Sequence, residues 1–172
     1  RGPGIPAGAM CREAITGCDL LPTFCEWAGA SFPENVDGTS LVPLLTGKPD
    51  SFQRKEPSLL FHFPHYGLGP AVPQSALVVG KYKIIRNYES GSVQLFDLAE
   101  DLSESNDLAG ALPEKVKQLE EMLDDRLKRA NAQMTSVNPD YDPTVYKTAT
   151  EYEKRIQWGP FENRRPLEED ER

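Results

Sequence analysis

Residues 58–97 hold four short apolar runs with little chain between them, and this spacing leaves few ways to build a sheet. The runs are Ser58 to Phe63, Ser75 to Val79, Lys81 to Asn87 and Ser92 to Asp97. A parallel pair needs a crossover of a dozen or more residues, usually a helix. Here Gly80-Lys81 is a tight turn and Glu89-Ser90-Gly91 is a hairpin signal. The first link, Gly67 to Pro73, is a glycine- and proline-rich loop, and Pro64 ends the strand before it. Consecutive strands with such links predict an antiparallel meander.

A long amphipathic helix is expected over 112–134. Pro113 suits its first turn and Glu114 suits the positive end of its dipole. Leu112, Val116, Leu119, Leu123, Leu127 and Ala130 form one apolar stripe. Lys117–Glu121, Asp124–Lys128 and Asp125–Arg129 are opposite charges four apart on the solvated face. An earlier helix is expected within 14–28, with Asp19 as N-cap, Pro22 in the first turn and Gly29 as a left-handed C-cap. Leu21, Phe24, Cys25 and Ala28 recur on it at helical spacing. Val36-Asp37-Gly38 is a turn, and Thr39 or Ser40 starts a short helical turn through Leu45 that Gly47 stops. Residues 46–57 form a surface loop. The chain opens with the look of a strand exit, so it is expected to be the C-terminal part of a longer protein. From 135 to 172 it becomes polar and proline-rich, which suggests an extended arm anchored by residues such as Tyr141, Tyr152 and Trp158, with a frayed acidic end.

Charge excludes one class of partner. Nineteen basic residues stand against 27 acidic ones, and affinity for a nucleic-acid duplex requires clustered Lys and Arg. No apolar run approaches the ~18–20 residues of a spanning helix, and no membrane partner is expected. Cys11, Cys18 and Cys25 lie seven apart without a Cys-x-x-Cys. Cys18 and Cys25 are expected as small buried residues on one helical face.

Chemistry-bearing motifs are sparse. No Gly-x-Ser-x-Gly occurs. The acidic loop from Asp97 to Asp107 lacks EF-hand spacing and its central glycine. Ser103, Asn106 and Asp107 are expected to make turns and caps there. Asp124-Asp125 sits on the solvated helix face. Arg1 and Lys81 are candidates to steer anions. The one local cluster with chemical potential is His62-Phe63-Pro64-His65-Tyr66, which holds both histidines of the chain. An imidazole can donate a hydrogen bond to a substrate oxygen, or protonate a leaving oxygen. His65, His62 and Tyr66 are therefore the substrate-binding candidates. The plainer assignment packs His62 against the core and leaves His65 in a solvated loop.

Several of these elements together resemble the C-terminal half of the sulfatase family. Arg1-Gly2-Pro3-Gly4-Ile5-Pro6-Ala7-Gly8 is similar to the family's turn after a central strand. Asp19-Leu20-Leu21-Pro22-Thr23 with Ala28-Gly29 resembles its Asp-Leu-x-Pro-Thr helix. Asp37-Gly38-Thr39-Ser40-Leu41-Val42-Pro43-Leu44-Leu45 matches its Asp-Gly-x-Ser-Leu-x-Pro-Leu-Leu signature. Gly80-Lys81-Tyr82-Lys83 with Leu95-Phe96-Asp97-Leu98, and then Glu104 to Ala109, resemble its C-terminal sheet and the loop before its last helix. Asn138 to Pro143 is similar to an arm of some bacterial members. Leu102 departs from the pattern, since the family often has Pro there, and should alter loop shape.

The resemblance implies an alkaline-phosphatase-like α/β fold. This chain would be mostly its C-terminal α+β subdomain, a small antiparallel sheet with a packed helix. Residues 1–57 would end the large sulfatase domain, 58–134 would form the subdomain, and 135–172 the arm. The implied function is hydrolysis of sulfate esters on a sulfated small molecule or carbohydrate, by a periplasmic or secreted protein. The segment would contribute substrate-pocket wall and stability. In related bacterial sulfatases a segment like 62–66 lies near the substrate pocket. Family members use a formylglycine, made from Cys or Ser in a Cys/Ser-x-Pro/Ala-x-Arg motif, and a calcium ion that polarises the sulfate. Neither Cys11-Arg12-Glu13-Ala14-Ile15 nor Cys18-Asp19-Leu20-Leu21-Pro22 fits that motif. No catalytic residue and no metal ligand is therefore assigned to this chain. Both belong to the N-terminal sulfatase domain, its expected partner. The alternatives are a phosphatase or phosphodiesterase of the same superfamily, or a non-catalytic binding module.

Overall fold

A computed structural model of the chain describes residues 2–66, 72–136 and 138–140. The meander forms as its spacing requires. Strands β1 (Ser58–Phe63), β2 (Gln74–Val79), β3 (Tyr82–Asn87) and β4 (Val93–Asp97) lie side by side in chain order. Every neighbouring pair is antiparallel.

The register explains the core. Leu60 pairs with Leu77, Leu77 with Ile84, and Ile84 with Leu95, so one apolar rung crosses all four strands. Side chains two apart share a face, and this face is covered by helix α3 (Pro113–Arg129). Leu119, Leu123 and Leu127 of α3 close over Leu77, Ile84 and Leu95. Their spacing of four places them on one stripe. The rung below is polar on the same face: His62 pairs with Ser75, Ser75 with Arg86, and Arg86 with Val93. Arg86 reaches Glu120 at 3.0 Å and also binds Asp124. Burial lowers the pKa of Arg86, but Asp124 and Glu120 outweigh it and hold it above its ordinary value. Asp124 is thus drawn to the sheet and away from Lys128. Asp125 keeps its Arg129 partner at 2.9 Å.

Helix α3 stops at Arg129, five residues before the expected end at 134. Asn131 adopts a left-handed conformation, with φ of 48°. The Ala132 N–H then donates to Leu127 O, and that of Asn131 to Lys128 O. This is a Schellman closure with Asn in the place usually held by glycine, and it leaves Ala130 exposed. The turn sends residues 132–136 back toward β1.

Upstream, helix α1 (Leu20–Ala28) ends at Gly29 as expected, with φ of 65°. Its entry differs from the expectation. Asp19 occupies the N-cap position of α1 but makes no side-chain cap to it. Thr16 caps the preceding 3-10 turn, Gly17–Asp19, and Asp19 closes that capping box by accepting from Thr16 N at 2.8 Å. Asp19 is completely buried. Its carboxylate also accepts from Thr39 N at 2.9 Å and from both terminal nitrogens of Arg54. Arg54 donates as well to Ala14 O at 2.8 Å. Thr23 joins the same knot: its hydroxyl donates to Asp19 O and accepts from Leu41 N. One carboxylate therefore ties α1, the Gly38–Leu41 turn and the 46–57 loop together. Burial raises the pKa of Asp19, yet the bonds from Arg54, Thr39 and Thr16 prevail and leave it below its ordinary value.

The inward place of Asp19 corrects the cysteine expectation. Cys18 is exposed and Cys25 half-buried, and all three thiols are free. In the tight 3-10 turn it is Asp19, one residue on, that points inward. On α1 the buried residues are Pro22 and Thr23, while Leu20, Leu21, Phe24 and Trp27 are each about half exposed. Helix α2 (Val42–Leu45) follows Ser40, whose hydroxyl accepts from Val42 N at 3.3 Å.

Candidate functional site

Strand β1 delivers the histidine cluster to one end of the sheet. Strand alternation places His62 on the side facing α3 and Phe63 on the other. Both ring nitrogens of His62 are engaged. Its Nδ1 lies 2.6 Å from Ser75 Oγ, and its Nε2 lies 2.8 Å from Gln133 O. Ser75 is completely buried, and its hydroxyl lies 2.7 Å from Tyr88 Oη. The Tyr88 ring also meets His62 edge-on, with centroids 6.1 Å apart.

His65 and Tyr66 follow Pro64 into exposed positions. The His65 ring stands at 88° to that of Phe63, with centroids 5.7 Å apart. Pro64, His65, Tyr66 and Pro73 form one wall of an open groove, and residues 133–136 form the other. The groove thus gathers two of the three substrate-binding candidates. His62 lies behind its rim, hydrogen-bonded to the opposite wall. The glycine-rich loop expected beside His65 falls at 67–71, outside the described residues, as do Arg1 and the arm from 141 onward.

The remaining polar candidates have local tasks. Lys81 is paired with Asp97 and lies over the Tyr82 ring at 5.0 Å, so its charge is already engaged. In the acidic loop, Asp101 accepts from Ser103 Oγ, Ser105 Oγ and Asn106 N. Those bonds, Ser103 first, lower its pKa. Asp107 Oδ1 accepts from Leu95 N and Ala109 N, which pins the loop to β4. Leu102, where the family often has Pro, is 81% exposed at the tip. Among the described residues no group of three or more His, Cys, Asp or Glu could hold a metal ion.

Sequence reasoning missed Ser75, Tyr88 and the 133–136 wall. Ser75 had a signal: it is a polar residue at an inward position of an otherwise apolar strand.

Comparison with known proteins identifies the family. The family described as N-sulphoglucosamine sulphohydrolase, C-terminal, matches residues 3–133. The chain belongs to this family. It is a C-terminal sulfatase segment. Arylsulfatase K of Xenopus laevis is 33% identical over 130 residues, which is 71% of this chain and 24% of the relative. The sulfatase segment thus spans about a quarter of the length of the curated relatives it matches. Among solved structures, a putative sulfatase from Bacteroides thetaiotaomicron superposes with a TM-score of 0.65 at 26% identity, covering 83% of this chain and 32% of that one. A 2-O GAG sulfatase gives 0.57 at 27% identity, covering 73% and 27%. A phosphonate monoester hydrolase from Silicibacter pomeroyi gives 0.55 at 25% identity, covering 75% and 28%. The four-stranded sheet and α3 are those of the C-terminal part of the alkaline-phosphatase-like sulfatase fold.

Proposed function

We propose that this segment completes a sulfatase that hydrolyses sulfate esters of a carbohydrate, and that its groove meets the organic part of the substrate. The family match over 3–133 carries the reading. The described residues do not fit a calcium site, and the chain has no motif for formylglycine. The reading therefore assigns both groups to the rest of the protein and gives this segment a different task. His65 and Tyr66, exposed just past the end of β1, supply hydrogen-bonding side chains to a sugar. The 133–136 wall supplies backbone groups opposite them. A sulfated amino sugar suits the name of the family, and a 2-O GAG sulfatase shares the fold. A periplasmic or secreted location belongs to the same reading.

The full-length protein carrying this segment, produced with formylglycine installed and calcium supplied, should release sulfate from an O-sulfated amino sugar, glucosamine 6-O-sulfate. Sulfate is measured by ion chromatography, and location by cell fractionation. The isolated segment should release none. The likeness to a phosphonate monoester hydrolase favours a second reading. A full-length enzyme that cleaves a phenylphosphonate monoester much faster than any sulfate ester would establish it and overturn the first.

A further inference from the structure

The hydrogen bonds around His62 join four residues in one chain. Gln133 O can only accept, so Nε2 of His62 carries hydrogen and donates to it across 2.8 Å. With the ring neutral, Nδ1 is then an acceptor, and Ser75 Oγ must donate to it. Ser75 Oγ is left to accept from Tyr88 Oη. With that tautomer the donors run in the order Tyr88, Ser75, His62, ending at Gln133 O. Ser75 is wholly buried and cannot exchange these partners for water. Tyr88 is itself fixed, because its N–H donates to Pro73 O at 2.9 Å. Pro73 lies in the wall that carries His65 and Tyr66, and Gln133 begins the opposite wall. The chain of bonds therefore spans the groove from beneath and joins its two sides.

We propose that His62 is a positioning residue, which sets the distance between the His65–Tyr66 wall and residues 133–136 and thereby the fit of the substrate's organic part. The proposal rests on the reading of the groove as substrate-facing. The left-handed turn at Asn131 makes the clamp necessary: beyond it, residues 133–136 are exposed and belong to no helix or strand.

Two side chains separate the clamp from simple packing. In His62→Asn, Oδ1 replaces Nδ1 and still accepts from Ser75, but nothing reaches Gln133. In His62→Gln, Nε2 of the amide still donates to Gln133 O. The test uses the full-length protein, with hydrogen exchange of the 134–136 amides and kinetics on glucosamine 6-O-sulfate. His62→Asn should speed exchange and raise KM, each about two- to tenfold, the scale of one hydrogen bond, while kcat does not follow. His62→Gln should restore both to near wild type. Equal behaviour of the two variants, or unchanged exchange in His62→Asn, would overturn the proposal. So would faster exchange with unchanged KM, provided that His65→Ala does raise KM. If His65→Ala also leaves KM unchanged, the substrate-facing reading itself fails, and the positioning role falls with it.

Discussion

Removing Arg54 should be among the most damaging single changes in the segment, although it lies in a stretch that reads as surface loop. The Arg54 side chain is 10% exposed, and Asp19 is completely buried. Arg54→Ala deletes two bonds to the Asp19 carboxylate, at 2.8 and 3.0 Å, and one to Ala14 O. Taking one partner from a buried ion pair costs about 3–5 kcal/mol, because the other charge stays buried. Thr16 N and Thr39 N still bond to Asp19, which favours the lower half of that range. The guanidinium also lies 5.3 Å from the Phe52 ring centroid, and losing that contact adds about 0.5–1 kcal/mol. Urea unfolding at pH 7 should therefore show a loss of about 3–5 kcal/mol. Arg54→Lys keeps a charge but cannot span both carboxylate oxygens, so it should lose less. In an Asp19→Asn background Arg54→Ala should also cost less, since no buried anion is stranded. The pH dependence follows from the lowered folded pKa of Asp19. A group depressed on folding adds stability that is present above its unfolded value, about 3.9, and lost as pH falls through its folded one. Without Arg54, burial is opposed by Thr39 and Thr16 alone. The folded value then rises, and acid unfolding should move to higher pH. A loss below about 1 kcal/mol with an unmoved acid midpoint would refute a buried pair at this position.

Gly38→Ala should also destabilise, because a Cβ there would lie 1.9 Å from Cys18 O and 2.9 Å from Asp19 N, both backbone atoms. Overpacking costs about 1–3 kcal/mol, and the retreat of the turn would stretch the Thr39–Asp19 bond as well. A thermal midpoint within a degree of wild type would contradict this. His65→Ala in the full-length enzyme should cost roughly 0.5–1.5 kcal/mol of transition-state binding on the natural sulfated substrate, and more if charge is involved. It should have less effect on a small aryl sulfate. Equal kinetics on the natural substrate, with the fold intact by circular dichroism, would return His65 to a solvated loop. The isolated segment should self-associate through Leu20, Leu21, Phe24 and Trp27, which leave an apolar face of α1 exposed. Light scattering that shows a monomer with a sharp cooperative melt would count against it.

The sheet was legible because its signals are local. Short apolar runs and turn chemistry placed each strand to within about a residue of where it forms. Helix α1 and its Gly29 stop were legible for the same reason. The end of α3 was not, because an Asn in a left-handed turn leaves no break in an apolar stripe that continues to Ala130. Distance in sequence hid the rest. Arg54 and Asp19 are 35 residues apart, and no pattern within the 46–57 loop marks its one buried cation. His62 and Gln133 are 71 apart. A histidine on an inward strand position announces a partner but not which backbone carbonyl it will find. The family motifs named the fold, but they could not separate the two histidines, one on the groove rim and one behind it.

The strands of the sheet stand in chain order, each hydrogen-bonded to its sequence neighbour. Such a sheet needs no long-range search. The contacts that form the rung Leu60–Leu77–Ile84–Leu95 each close a short loop, so the entropy lost before they pay back is small. Topologies rich in local contacts fold fast. Hairpin β2–β3 closes the shortest of these loops, through Gly80 and Lys81, and is the natural first step, followed by β4 and then by docking of α3. The contacts of longest reach, from His62 to Gln133 and from Arg129 to Glu56, come last. The groove, joined by the first of these contacts, is therefore expected to take shape late.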